Sequence, residues 1–302
     1  METYANIDEM LANADINVVM VSTPNPSHPE MVKKAAAAKK HVICEKPAAM
    51  SVAEYDEMVA ACEENGVIFT VHQQRRWDKD YRIMKEVYDK SMVGDMYIIK
   101  SQLYGVNGNM HDWHIYPEMG GGMLYDWGVH LIDQMLDMVK SKIVSLYADV
   151  QNVINENVDD YFNIIMKFEN GVTAEIELGT YYLTPKRAWF IGGNKGSALI
   201  DGFAGEGKIV RTAHLLENVP GKITMTAAGP TRSFGPPEPG LLSEEPLPEV
   251  NVDHRNYFEH FLKAFNGEED IIIKPEQVRR VLCVMDAVRE SAKTGKAIAF
   301  EE

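Results

Sequence analysis

Short apolar runs alternate with amphipathic stretches through the first quarter of the chain. Ile16-Asn17-Val18-Val19-Met20-Val21 is β-branched and too short for a buried helix, so it reads as a buried parallel strand, preceded by a short helix over Ile7 to Leu11. The turn-rich Ser22-Thr23-Pro24-Asn25-Pro26-Ser27-His28-Pro29 follows at the carboxyl end of that strand, where open α/β sheets bind ligands. An alanine-rich helix over Glu30 to Lys40 leads into a strand, His41-Val42-Ile43-Cys44, whose own carboxyl end carries Glu45-Lys46-Pro47. Ser51 with Glu54 forms a capping box for a helix to Glu64, stopped by Asn65-Gly66. Val67 to Val71 is a third strand, ending in His72-Gln73-Gln74-Arg75-Arg76-Trp77. This alternation predicts a parallel sheet with right-handed crossovers and its polar loops along one edge.

Beyond a helix over Tyr81 to Asp89 the period changes. Met96 to Tyr104 is an apolar strand, and Gly105 to Met119 is a loop holding His111, Asp112, Trp113 and His114. After a glycine-entered helix come strands in hairpin order: Ile143 to Val153, Tyr161 to Phe168, and, past the turn Glu169-Asn170-Gly171, Val172 to Leu178. Ala188 to Ile191 and Ser197 to Ile200 flank Gly192-Gly193-Asn194-Lys195-Gly196 as a further hairpin. Residues Thr212 to Glu249 are dense in proline and glycine and read as a surface loop or an arm at a subunit contact. Amphipathic helices over Asp253 to Phe265 and Pro275 to Lys293 close the chain. The expected fold is a partial Rossmann-like parallel sheet over residues 1–74, followed over 75–302 by a domain with a large, mainly antiparallel open sheet and C-terminal helices.

Composition narrows the partners. With 302 residues, 45% hydrophobic and 25% charged, the chain has the profile of a globular protein of ordinary two-domain size. Lys plus Arg number 30 against 45 Asp plus Glu, a net charge of -15, and that field repels phosphate backbones and anionic membranes. Nucleic acid and membrane are therefore excluded as expected partners. Cys44, Cys62 and Cys283 lack C-x-x-C spacing and cannot all pair within one chain, which fits a reducing, cytoplasmic setting. No apolar run approaches the ~18 residues of a membrane span, and no targeting signal follows Met1.

Candidate chemistry concentrates in Gly120-Gly121-Gly122-Met123-Leu124-Tyr125-Asp126-Trp127-Gly128-Val129-His130-Leu131-Ile132-Asp133. As a helix entered through glycines it sets Asp126 and His130 on one face, an acid/base pair in which the carboxylate orients the imidazole. The glycines would admit a backbone or a ligand and expose the first N–H groups of the helix. The same pattern suits a structural polar pair at a helix start. Lys46, at the end of a buried strand, can donate a hydrogen bond or relay a proton to a reacting oxygen, or it can be an ordinary solvated loop lysine. His111, His114, Asp126 and His130 could be read as metal ligands, but H-x-x-H in a loop holds two imidazoles loosely, and no metal site is expected.

Ser22-Thr23-Pro24-Asn25 with His28, then Glu45-Lys46-Pro47, then Gly120-Gly121-Gly122 with Asp126, Gly128 and His130 resemble the Gfo/Idh/MocA family of nicotinamide-dependent oxidoreductases. The resemblance extends to the closing Glu290-Ser291-Ala292-Lys293-Thr294-Gly295-Lys296. It implies Lys46 as catalytic lysine and Asp126 with His130 as the acid/base pair beside a substrate hydroxyl. Ser22, Thr23, Pro24, Asn25, His28, Glu45, Lys46 and Arg76 are implied on the cofactor side, with NAD or NADP as the cofactor. A sugar, cyclitol or related polyol is the implied substrate, and a homo-oligomer through the open sheet the implied assembly. The alternative is a non-catalytic or cofactor-deficient homologue acting as a binding or assembly module.

One departure concerns the start of the chain. The Gly-x-Gly-x-x-Gly turn that holds a pyrophosphate at a helix N-terminus is absent from these 302 residues, as is the selective residue after the second strand. The opening helix matches the one before the family's fourth strand, so two βα units, on the order of 60 residues, are expected to belong ahead of it. A fragment is the expected reading and a shortened homologue the alternative, because parallel strands without their central neighbours leave apolar faces and edges uncovered.

Overall fold

The structure is a computed structural model that describes residues 2–106, 108, 110–212, 223–232 and 239–300. Strands β1 (Val18–Val21), β2 (His41–Cys44) and β3 (Phe69–Val71) pair in parallel, in sequence order. Val42, Ile43, Cys44, Phe69 and Val71 are buried on both faces of β2 and β3, whereas β1 buries Val19 and Val21 on one face and leaves Met20 41% exposed on the other. Helices α1 (Ile7–Asn13), α2 (His28–Ala37) and α3 (Val52–Asn65) accompany them. Helix α2 starts two residues before the expected Glu30, because Pro29 in its first turn has no N–H to leave unpaired. Ser51 Oγ accepts the Glu54 N–H at 3.2 Å, while the Glu54 carboxylate takes the N–H of Met50 at 3.0 Å, one residue outside the expected box. Gly66, at φ +65°, terminates α3 in the left-handed conformation.

After α4 (Lys79–Asp89) the chain builds a larger sheet from β4 (Met96–Tyr104), β5 (Ile143–Gln151), β6 (Tyr161–Phe168), β7 (Thr173–Gly179), β8 (Trp189–Gly193), β9 (Gly196–Ile200) and β10 (Gly207–Thr212), with α5 (Val129–Met138) between β4 and β5. A small hairpin of β11 (Ile223–Thr226) and β12 (Gly229–Arg232) stands apart, and β13 (Leu242–Glu245) pairs with β10. Helices α6 (Arg255–Phe265) and α7 (Pro275–Thr294) precede β14 (Ile298–Ala299). Among the described residues the order is β13-β10-β9-β8-β4-β7-β6-β5-β14. Every pairing in it is antiparallel except β4 with β7. The fold class is therefore a three-stranded Rossmann-like sheet followed by a large, mainly antiparallel one, as the hydrophobic pattern predicted. Part of the arm expected over 212–249 lies outside the described residues.

Helix α5 positions everything that follows. Nine of its ten residues are buried, Val129 to Leu136 and Met138, so it is enclosed all round rather than along one stripe. Fully buried Ile132 and Met135 each contribute about 1.5–3 kcal/mol of burial. Its polar residues His130, Asp133 and Gln134 must then find protein partners, since a buried polar group left unpaired is costly. All three find them in Gln73 to Arg76, the segment leaving β3. The polar demand of one helix thereby fastens the two halves of the chain together.

Candidate functional site

Lys46 stands past the carboxyl end of β2, and its side chain is 17% exposed. Its Nζ donates to the Asp126 backbone oxygen at 2.8 Å and to Asp126 Oδ1 at 2.7 Å, a contact spanning 80 residues. An ammonium has three N–H donors, so two hold Asp126 and one is left for another acceptor. The solvated loop lysine is thus excluded, and the amine of one half meets a carboxylate of the other.

The expected pairing of Asp126 with His130 gives way to a different arrangement. The stretch Leu124–Gly128 is a π-helical turn and only Val129 begins regular α-helix, so Asp126 and His130 do not stack as i, i+4 neighbours. Asp126 turns to Lys46, with His114 Nε2 4.0 Å from its other oxygen. His130 turns to Gln73, whose Oε1 lies 3.0 Å from Nδ1. The ring is 3% exposed, with the Trp127 ring edge-on at 6.1 Å. Burial holds the imidazole well below its ordinary pKa, helped by the charges of Lys46, Arg75 and His72, so His130 is neutral at neutral pH.

The glycines serve the protein itself rather than a ligand. A Cβ on Gly121 would come within 2.3 Å of the His114 carbonyl oxygen, and one on Gly122, at φ +98°, within 2.2 Å of Asp159 Oδ1. The helix-start N–H groups expected to be open are taken: Asp159 Oδ2 accepts from Leu124 N at 2.7 Å, and the Asp159 carbonyl from Met123 N at 2.9 Å.

The expected cofactor residues divide into two groups. Ser22, Thr23 and Pro24 are exposed at the carboxyl end of β1. Glu45 lies half-buried beside them, with Oε1 accepting from His72 Nδ1 at 2.7 Å and Oε2 from Lys46 N at 3.3 Å. Burial pushes the Glu45 carboxyl up, but His72 and the Lys46 N–H outweigh it and hold the carboxyl below its ordinary value. Asn25, His28 and Arg76 do not reach the edge. Asn25 Nδ2 donates to Met119 O at 3.1 Å, and fully buried His28 bridges Thr23 O at 2.8 Å and Pro47 O at 3.0 Å. Arg76 is enclosed in a bidentate pair with Asp133, at 2.7 and 2.6 Å, because that buried carboxylate is the stronger local claim on it.

Sequence reading passed over Gln73, His72 and Arg75; their one signal was their place at the carboxyl end of the third strand. Arg75 lies over the Trp127 ring at 3.9 Å, and both line a cavity of about 170 Å³ that also borders Asp80, Gln134, Trp189 and Phe203. In the loop before the glycines, Trp113 stacks on His114 at 3.8 Å and is only partly buried, while His111 is 84% exposed. No group of three or more His, Cys, Asp or Glu among the described residues is placed to hold a metal ion. No helix among them is long and apolar enough to cross a membrane.

The residues at the edge fit a nicotinamide group. Among the described residues buried Gln73 Nε2 has no partner, and Ser22–Pro24, Glu45 with Lys46, and Gln73 each follow the carboxyl end of one of the three parallel strands.

Family models and known proteins match this chain along most of its length. Residues 1–73 match the oxidoreductase family model with an NAD-binding Rossmann fold, and residues 81–199 match the GFO/IDH/MocA C-terminal domain. A crystal structure of an NAD-binding protein from Listeria innocua superposes with a TM-score of 0.91 at 32% identity, covering 99% of this chain and 86% of that one. An uncharacterized oxidoreductase of Schizosaccharomyces pombe is 28% identical across 98% of this chain and 84% of its own length. The Bacillus subtilis scyllo-inositol 2-dehydrogenase (NADP(+)) is 25% identical across 99% and 83%.

Proposed function

We propose that this chain, which belongs to the Gfo/Idh/MocA oxidoreductase family, transfers a hydride between NAD or NADP and a secondary alcohol or ketone of a sugar, cyclitol or related polyol. The observation that carries the reading is the Lys46–Asp126 contact beside a buried, neutral His130. A nicotinamide dinucleotide, when bound, supplies the hydride acceptor or donor. The remaining work falls to side chains of this chain. In the oxidative direction a base must take the hydroxyl proton, and a neutral imidazole does so. The remaining N–H of Lys46 donates to the same oxygen as negative charge grows on it, and Asp126 holds the amine in place. In the reductive direction the protonated imidazole returns the proton. Glu45, Ser22, Thr23 and Pro24 line the cofactor side, while Asn25, His28 and Arg76 support that edge from within. The scyllo-inositol relative makes cyclitols the first substrates to examine.

Titration with NAD(H) and NADP(H) followed by nicotinamide fluorescence, then turnover with inositols and sugar alcohols, tests the proposal. Lys46→Met should lose on the order of 10²- to 10³-fold in kcat, the range of one removed oxyanion donor. A folded sample that binds neither dinucleotide would favour a binding or assembly module.

We also propose that a second copy covers the open face of the large sheet. Tyr147, Ile165, Glu175 and Lys100 are successive cross-strand partners on that face, with Tyr147 42% and Ile165 36% exposed. A strictly monomeric mass in light scattering at micromolar concentration would refute it.

A further inference from the structure

We infer that Gln73 is a positioning residue that selects the tautomer of His130. The inference rests on the dehydrogenase reading only for its consequence in turnover; the tautomer itself is a property of the folded chain. Gln73 is 1% exposed at the carboxyl end of β3, and His130 is 3% exposed at the start of α5. Their contact, Oε1 to Nδ1 at 3.0 Å, is the only hydrogen bond of the ring among the described residues. With its amide oxygen toward the ring, Gln73 accepts and cannot donate, so in this orientation Nδ1 carries the proton and donates it. The imidazole is neutral, hence Nε2 keeps its lone pair. That is the nitrogen able to accept the substrate proton. In the opposite tautomer Nε2 would carry a hydrogen and have no lone pair with which to accept the substrate proton.

No carboxylate does this work here. Asp126 is occupied by Lys46, and Asp133 by Arg76. The groups whose charges bear on the ring are Lys46, Arg75 and His72, all of them cationic or able to become so. A carboxylate at position 73 would stabilise the imidazolium and raise the pH at which the base protonates. A neutral amide fixes the same tautomer while leaving His130 uncharged. The other end of the amide, Gln73 Nε2, is buried and unpartnered, a donor available to an acceptor oxygen of a bound ligand.

The test has a spectroscopic arm and a kinetic arm. Long-range 1H–15N correlation spectra of the folded chain at neutral pH, with the His130 signals assigned by loss in His130→Asn, should show Nδ1 protonated and Nε2 bare. Gln73→Leu should leave the fold intact by circular dichroism and give mixed tautomers. Nε2 protonated in the wild-type chain, or an unchanged tautomer in Gln73→Leu, would overturn the inference whatever the enzyme turns over. In kinetics Gln73→Leu should lose on the order of 10²-fold in kcat with little change in KM. Gln73→Glu should keep the tautomer, recover part of the rate, and move the acid limb of the kcat/KM profile upward by about one pH unit or more. A pH profile identical in all three proteins would reduce Gln73 to a packing role.

Discussion

Replacing Arg76 by methionine should unfold this protein more readily without weakening its hold on a cofactor. The guanidinium meets Asp133 through Nε and Nη2, reaches Gln277 Oε1 at 3.1 Å, and lies 3.5 Å from Asp137 Oδ1. The side chains of Arg76 and Asp133 are 5% and 2% exposed, so solvent does little to screen the pair. Removing the cation strands one carboxylate in the interior with a second close by, and breaking such a pair costs about 3–5 kcal/mol. The pair as a whole need not stabilise the fold, because burying both charges is itself expensive. Arg76→Met/Asp133→Leu should therefore regain much of what Arg76→Met loses. Urea unfolding followed by the fluorescence of the four tryptophans measures both, with nicotinamide titration of the folded single variant alongside. A loss below about 1 kcal/mol, the scale of an exposed pair, would refute the reasoning. So would a double variant no more stable than the single one.

Two further predictions concern the interior. Burial pushes the Asp80 carboxyl up to about 6 although Trp189 Nε1 donates to it at 2.9 Å, and its other oxygen has no partner. A carboxyl raised above its unfolded value of about 3.9 adds stability that is complete below about pH 4 and lost as pH rises through 6. Relative to Asp80→Asn, the wild type should accordingly lose about 2–3 kcal/mol between pH 4 and pH 8, and parallel stability profiles would contradict this. Gly121→Ala should cost more than ~2 kcal/mol, since its Cβ would overlap the His114 carbonyl oxygen, a backbone atom that cannot swing aside. Gly66→Ala meets no atom within 4 Å and has only its positive φ to oppose it, so about 1 kcal/mol is expected. Equal shifts in thermal midpoint for the two variants would discredit the contact argument.

Local sequence determined the elements and the residue types at their ends. Alternating and β-branched runs specified the strands, Ser51 and Gly66 marked the limits of α3, and Glu45-Lys46 was placed past the end of β2 by the run before it. The families of residue that could do chemistry were legible for the same reason, since each sits at a break in a hydrophobic period. Partner choice was not. Asp126 faces Lys46 across 80 residues, and His130 and Arg76 each find their partner across 57. Helical spacing suggested Asp126 beside His130, but a π turn at Leu124–Gly128 breaks that register. The physical reason is that a buried polar group bonds to whatever donor or acceptor the packing of α5 against the end of β3 delivers. That packing depends on the shapes of two assembled sheets, which no local period encodes.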